Sequence, residues 1–196
     1  MKLLHVQEDF AVCVKPVGMD AEHALPDALK QELGGEIYPL HRLDLNVGGV
    51  MVYARTKACA ATLSRCIQEG QMIKEYVALV HGAPPAEGVL EDYLYKDPRK
   101  NKVFAVKRLR KGVKEAKLSY HLLRTEGEKS LVHIRLYTGR SHQIRVQFSS
   151  RGYPLVGDHK YGSRDTAVNP FLFSCRVTFP YKGKDVSFSA LPPWAE

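Results

Sequence analysis

No stretch of this 196-residue chain approaches the roughly 20 consecutive apolar residues that a membrane helix needs. Cysteine is scarce and unpatterned: Cys13, Cys59, Cys66 and Cys175 include no CxxC pair. That argues against a zinc ribbon and a disulfide framework, and fits small core residues in a reducing cytoplasm. There is no P-loop, no GxGxxG and no HxxxH spacing. A bound nucleotide or metal is therefore not expected, and the site is expected to work without a cofactor. Gln7, Glu8 and Asp9 stand where a secretory leader would keep its apolar run, so export is not expected either.

Acidic charge is also missing from one place in particular. Between Lys96 and Lys117 there are ten basic residues against Asp97 and Glu115, while the rest of the chain is balanced. The whole formal excess of +8 thus lies in a single segment. Dispersed charge would speak only for solubility. A concentrated block suits a polyanion, whose phosphates supply affinity without reading sequence; a solvated lysine-rich loop is the alternative. Val103 to Val106 sits mid-block and Lys111-Gly112 near its far end, which predicts a β-hairpin arm projecting from the body, with Lys107, Arg108, Arg110 and Lys111 available for such a polyanion.

A hydrophobic content of 44% against 26% charged residues is that of a globular protein, and the length suits one domain over 1–196. Short β-type runs at Leu3 to Val6 and Phe10 to Lys15 precede a helix over Pro26 to Leu33, with Pro at its start and Gly34-Gly35 as its stop. Thr56 to Glu69 is the clearest helix, with Thr56 as N-cap and Cys59, Leu63, Cys66 and Ile67 on one face. Strands are predicted at Met72 to Val80, Val89 to Tyr95, Leu118 to Leu123, Ser130 to Tyr137, Phe171 to Phe179 and Val186 to Ala190, the last two around a Lys182-Gly183 turn. A helix of about ten residues is expected after Gly139, with Ser141 as its N-cap. This pattern is α+β: a mixed, mostly antiparallel sheet with packed helices.

The segment Tyr38 to Ala54 concentrates the chemistry. Asp44 and Arg42 stand just before Gly48-Gly49 and the apolar run Val50 to Tyr53. One reading presents a reactive acid on a tight loop at a strand edge; the other is an Arg–Asp pair that braces the loop. No second carboxylate is near in sequence, so a paired-acid glycosidase is not indicated. Tyr76, Arg140, His142, Arg145 and Asp158 complete the candidates. Taken singly, Tyr76 is an ordinary strand aromatic, His142 a structural residue and Asp158 a brace for its glycine turn.

Taken together, the blocks HRLDLNVGG (His41 to Gly49), KEYVALVHG (Lys74 to Gly82), GRSHQIRVQ (Gly139 to Gln147) and GDHKYG (Gly157 to Gly162) resemble the RluA-type pseudouridine synthases, as do KPVGM (Lys15 to Met19) and ALPPW (Ala190 to Trp194). The likeness runs in order along nearly the whole chain. It implies a pseudouridine-synthase fold with an active-site cleft across the sheet, and isomerisation of uridine in RNA to pseudouridine. Asp44 falls on the family's essential aspartate, acting as nucleophile or as the base that yields a glycal. Tyr76 falls on the aromatic that stacks on the target uracil, and Arg145 on the aspartate's cationic partner. Arg42 would fill the space left by the flipped base, and Arg140 would take a backbone phosphate. The extra N-terminal RNA-binding domain of some members is not expected. The implied enzyme is a monomeric, cytoplasmic isomerase acting on rRNA or tRNA stem-loops, without metal or membrane. A non-catalytic RNA-binding or ribosome-assembly protein on the same fold is the rival. Two positions depart from the pattern: Val47-Gly48-Gly49 replaces the usual Thr-Ser-Gly, and Gln147 stands where histidine is common.

Overall fold

The computed structural model describes all residues from 1 to 196. In chain order the elements are β1 (Lys2–Val6), β2 (Phe10–Lys15), α1 (Ala24–Leu33), β3 (Tyr38–Pro39), β4 (Gly48–Ala54), α2 (Lys57–Gln68), β5 (Ile73–His81), β6 (Glu87–Asp97), β7 (Lys102–Val106), β8 (Val113–Glu126), β9 (Lys129–Leu136), α3 (Gln143–Ser149), β10 (Leu172–Tyr181) and β11 (Lys184–Ser189). The class is α+β, with β4 and β10 parallel and β1–β2, β2–β4, β3–β4, β6–β7, β6–β8, β8–β9 and β10–β11 antiparallel. No helix is long and apolar enough to cross a membrane. The residues group into two compact units, Met1–Lys74 with Phe173–Glu196, and Glu75–Leu172.

In the first unit the strands run β1-β2-β4-β10, with β11 on β10 and β3 on β4. Every residue of β4 is buried, which is why its sequence is a continuous apolar run rather than an alternating one. Phe10, Val12, Val50, Val52, Leu63, Val177 and Phe179 form the core. The predicted cap of α2 is present: Thr56 Oγ1 accepts from the Cys59 amide at 3.1 Å. Cys59, Leu63 and Cys66 are the buried face of that helix. All four cysteines are free and buried, and burial pushes the Cys13 thiol up to about 12. Helix α1 starts two residues before Pro26, so the proline sits in the first turn, where its missing N–H costs no helical bond. Lys182 and Gly183 both take positive φ, 48° and 79°, the geometry of a two-residue hairpin turn.

The second unit has strand order β5-β9-β8-β6-β7. Alternation sets its two faces. Leu94, Val103 and Ala116 pack with Val146 of α3 and with Tyr161, whereas Tyr93, Tyr95 and Phe104 lie on the other face by register. The expected β-hairpin is present as β6 and β7, and it forms the edge of the sheet. β7 is the paired edge strand of the sheet, Val103 is 3% exposed, and the fully exposed stretches are the 98–101 turn and the 107–112 connection.

Helix α3 is shorter than expected, seven residues, and Ser141 does not cap it. The cause lies in the side chains of Gln143 and His142. The Gln143 side chain turns back, and its Oε1 accepts from the Arg140 amide (3.0 Å) and from Thr138 Oγ1 (2.7 Å). His142 enters the helix in the left-handed region at φ 51°, its Nδ1 on the Tyr161 hydroxyl at 2.8 Å.

Candidate active site

Asp44 opens a turn in the first unit. Its carbonyl accepts from the Val47 amide at 3.0 Å, with Leu43 and Val47 buried on either side of an exposed Leu45-Asn46 tip. The Leu45 carbonyl is held twice, by the Gly18 amide at 2.9 Å and by Lys15 Nζ at 3.2 Å. Lys15 is fully buried, and its ammonium also donates to Pro16 O (3.0 Å) and Met19 O (2.8 Å). Three donors meet three carbonyls. Burial pushes Lys15 down to about 8, while the charges of Asp20 and Asp44 pull the other way. The KPVGM block is thus the anchor of the loop behind Asp44. Lys15 is the functional-site residue that the sequence reading missed; its signal was a lysine at the end of a wholly apolar strand.

The strand after the loop is fixed just as closely. At Gly49, φ is 131° and a Cβ would stand 2.4 Å from the Ser174 amide nitrogen, so only glycine permits the parallel pairing of β4 with β10. Ser174 Oγ then donates to Val50 O at 3.1 Å. The Val52 N–H points at His41 Nε2 at 3.4 Å, and β3 pairs with Tyr53 and Ala54. His41 therefore fills the stretch of strand edge between two partners. Burial, with Lys74 as a like charge, pushes its imidazole down to about 3, so it stays neutral and serves as an acceptor. Arg42 is exposed and bonds Glu22 at 2.9 Å. The ion pair that would brace the loop through Arg42 and Asp44 is thus not the one formed.

Tyr76 and Arg145 belong to the second unit. Tyr76 lies on β5 and is 6% exposed, beside buried Val77 and Ala78. Arg145 is buried on α3 and is clasped at two points: Nε to Asp158 Oδ2 at 2.7 Å and Nη2 to Asp158 Oδ1 at 2.8 Å. This bidentate fork fixes both position and plane. The Tyr161 ring lies 5.1 Å from the guanidinium, its hydroxyl accepts from the Val103 amide at 2.8 Å, and its carbonyl accepts from Ser149 Oγ at 2.6 Å. The GDHKYG block is therefore the seat of α3. Asp158 does more than brace its turn, since its carboxylate engages Arg145 while its carbonyl accepts from Tyr161 and Ser163.

Gln147, the second departure, is buried. Its Nε2 donates to Leu90 O (3.1 Å) and Asp92 Oδ2 (2.8 Å), and Asp92 also binds Arg151. It ties α3 to strand β6. Arg140 is exposed, with Nε on Glu115 O at 2.8 Å. Its amide is already taken by Gln143, so the expected phosphate site at the helix start is reduced to side-chain donors. Lys107, Arg108, Arg110 and Lys111 are all exposed, and only Arg110 has a partner, the Tyr95 ring at 5.7 Å.

A family model described as RNA pseudouridylate synthase matches residues 9–150. An uncharacterized RNA pseudouridine synthase of Chloroflexus aurantiacus is 37% identical over 172 residues, covering 82% of this chain and 52% of that protein. The dual-specificity RNA pseudouridine synthase RluA of Escherichia coli is 35% identical over 159 residues, covering 77% and 71%. The structure of human RNA pseudouridylate synthase domain containing 1 superposes with a TM-score of 0.86 over 98% of this chain and 83% of that one; at 24% identity it speaks for the fold. The chain thus spans about half the length of the Chloroflexus relative. With the motif blocks tied to the Asp44 loop on one side and to the Arg145 seat on the other, the chain belongs to the RluA-type RNA pseudouridylate synthases.

Proposed function

We propose that this chain isomerises uridine to pseudouridine in RNA and that Asp44 is the catalytic carboxylate. The N1–C1′ bond breaks, the uracil turns in place, and C1′ joins C5. The C5 proton leaves and N1 ends protonated, so no co-reactant is consumed. Asp44 either attacks the nucleotide or removes a ribose proton to give a glycal. Tyr76 stacks on the base, and Arg145 keeps the carboxylate anionic. The observation that carries the reading is the anchoring of the Asp44 turn: Lys15, Gly18 and Gly49 hold its backbone from both sides while Leu45 and Asn46 stay exposed. A loop held this tightly is preorganised for chemistry.

The target must leave its stack before it can react, at a cost of a few kcal/mol. Arg42 is suited to the vacancy, because its flat cation stacks on bases and its exposed pair with Glu22 is weakly held. The 107–112 connection supplies phosphate contacts through Lys107, Arg108, Arg110 and Lys111. The substrate in this reading is a stem-loop of rRNA or tRNA, met by a monomer in the cytoplasm.

The test is Asp44→Asn against a candidate stem-loop, with pseudouridine mapped chemically. Isomerisation should disappear while RNA affinity stays within about threefold of wild type; appreciable turnover would remove Asp44 from the reaction. Deleting the gene and mapping pseudouridines across rRNA and tRNA would identify the site.

A further inference from the structure

We propose that Lys96, Lys114 and Arg140 form a subsite for one phosphodiester of the RNA substrate, on the α3-facing side of the second unit. The inference rests on the RNA-modifying reading above and goes beyond it by adding two lysines and a cavity. The cavity holds about 220 Å³, has Leu94 and Val103 in its floor, and carries Lys96, Lys114, Arg140 and Ser141 around it.

Strand register puts the lysines there. Lys96 is opposite Val103 and Lys114 is opposite Leu94, so both side chains leave the sheet on the face that buries Val103 and Leu94. Because α3 is only seven residues long, the sheet runs on past its start. The cavity is that uncovered end.

Its charge is uncompensated. No carboxylate is in the lining, and neither the Lys96 nor the Lys114 ammonium is in an ion pair. Arg140 is aimed by its Nε bond to Glu115 O, which leaves its terminal nitrogens open. The Glu115 carboxylate lies across from Tyr93, on the other face. Three cations over an apolar floor, with a serine hydroxyl beside them, call for an anion. A second cavity of the same unit, about 530 Å³, has the opposite character: Glu91, Asp92 and Glu115 are in its lining, and Lys117 is bound to Glu91 at 2.7 Å. Only the first suits phosphate.

A phosphodiester is the form of that anion which the proposed substrate supplies. Long lysines and an arginine fork hold phosphate without reading bases. Arg140 precedes Arg145 by five residues, on the turn that leads into its helix. A phosphate seated here would fix the register of the RNA relative to α3.

The experiment compares wild type, Lys96→Gln/Lys114→Gln, and Lys57→Gln/Lys184→Gln as a charge-matched control of exposed lysines. Each binds a labelled stem-loop that wild type modifies, across a salt series, with folding checked by thermal melting. The Lys96/Lys114 variant should bind about three- to tenfold more weakly at low salt, with a salt slope shallower by about one unit. Methylphosphonate substitution of single linkages should find one position that weakens wild type and costs this variant nothing more. Affinity and slope matching the control would overturn the subsite while leaving the isomerase reading intact. Inorganic phosphate separates the sources of the anion: phosphorus line broadening lost in the variant, with RNA affinity unchanged, would make this a free-phosphate site and overturn the RNA assignment. A wild-type chain that neither binds nor modifies RNA would defeat the earlier reading first, and this one with it.

Discussion

Each unit buries one basic side chain, and the two are neutralised by different means. In the first, Lys15 is surrounded by the neutral carbonyls of Pro16, Met19 and Leu45. In the second, Arg145 meets the Asp158 carboxylate in a fork. The lysine ties three backbone segments together at one point, which is what a reactive loop needs. The arginine is a flat cation aimed by a partner from another loop. They titrate differently too. Lys15 is pushed down to about 8 by its burial, whereas a guanidinium stays charged throughout the accessible range.

The largest break of this contrast is Asp158→Ala. It leaves a buried guanidinium without its carboxylate and should cost about 3–5 kcal/mol in urea unfolding. Loss below 1 kcal/mol would mean that the seat of α3 is held by packing alone.

Next in size is Lys15→Met, which keeps the apolar stem and removes the three donors. About 2–3 kcal/mol of stability should be lost, because the Pro16 and Met19 carbonyls lose that partner. Turnover at saturating RNA should fall beyond what the unfolded fraction explains. Unchanged turnover would separate the anchor from the chemistry.

The contrast sharpens with pH. The folded-state pKa of Lys15 lies below its ordinary 10.5, so between pH 8 and pH 10.5 the unfolded chain binds the extra proton. Stability contributed at this site should therefore rise with pH across that window, and its burial cost should be present in full below pH 8. Lys15→Met should lack this rise. Glu22→Gln touches neither anchor and should leave the melting temperature unchanged, because both members of its pair with Arg42 are exposed.

Much of this was legible in the chain. Thr56 with the Cys59-Leu63-Cys66 face announced α2, and the unbroken apolar run after Gly49 announced a strand buried on both sides. These are local signals, set by capping chemistry and periodicity. The ordered motif blocks announced the family. The place of the arm in the sheet and the start of α3 were misread for a common reason. Lys96, Lys102 and Lys114 look solvated one by one, but alternation buries Val103 between them. Ser141 looks like a cap, but the cap position is one residue later, at His142, whose ring is held by the Tyr161 hydroxyl.

Element types, charge asymmetry and membership of the family follow from linear order, because each is written in neighbouring residues or in the order of short blocks. Tertiary structure alone decided what those blocks are for. Lys15 reaches Leu45 across 30 positions and Arg145 reaches Asp158 across 13. Ser174 allows only glycine at position 49. A buried charge must find its partners wherever the fold brings them, and no local pattern records that distance.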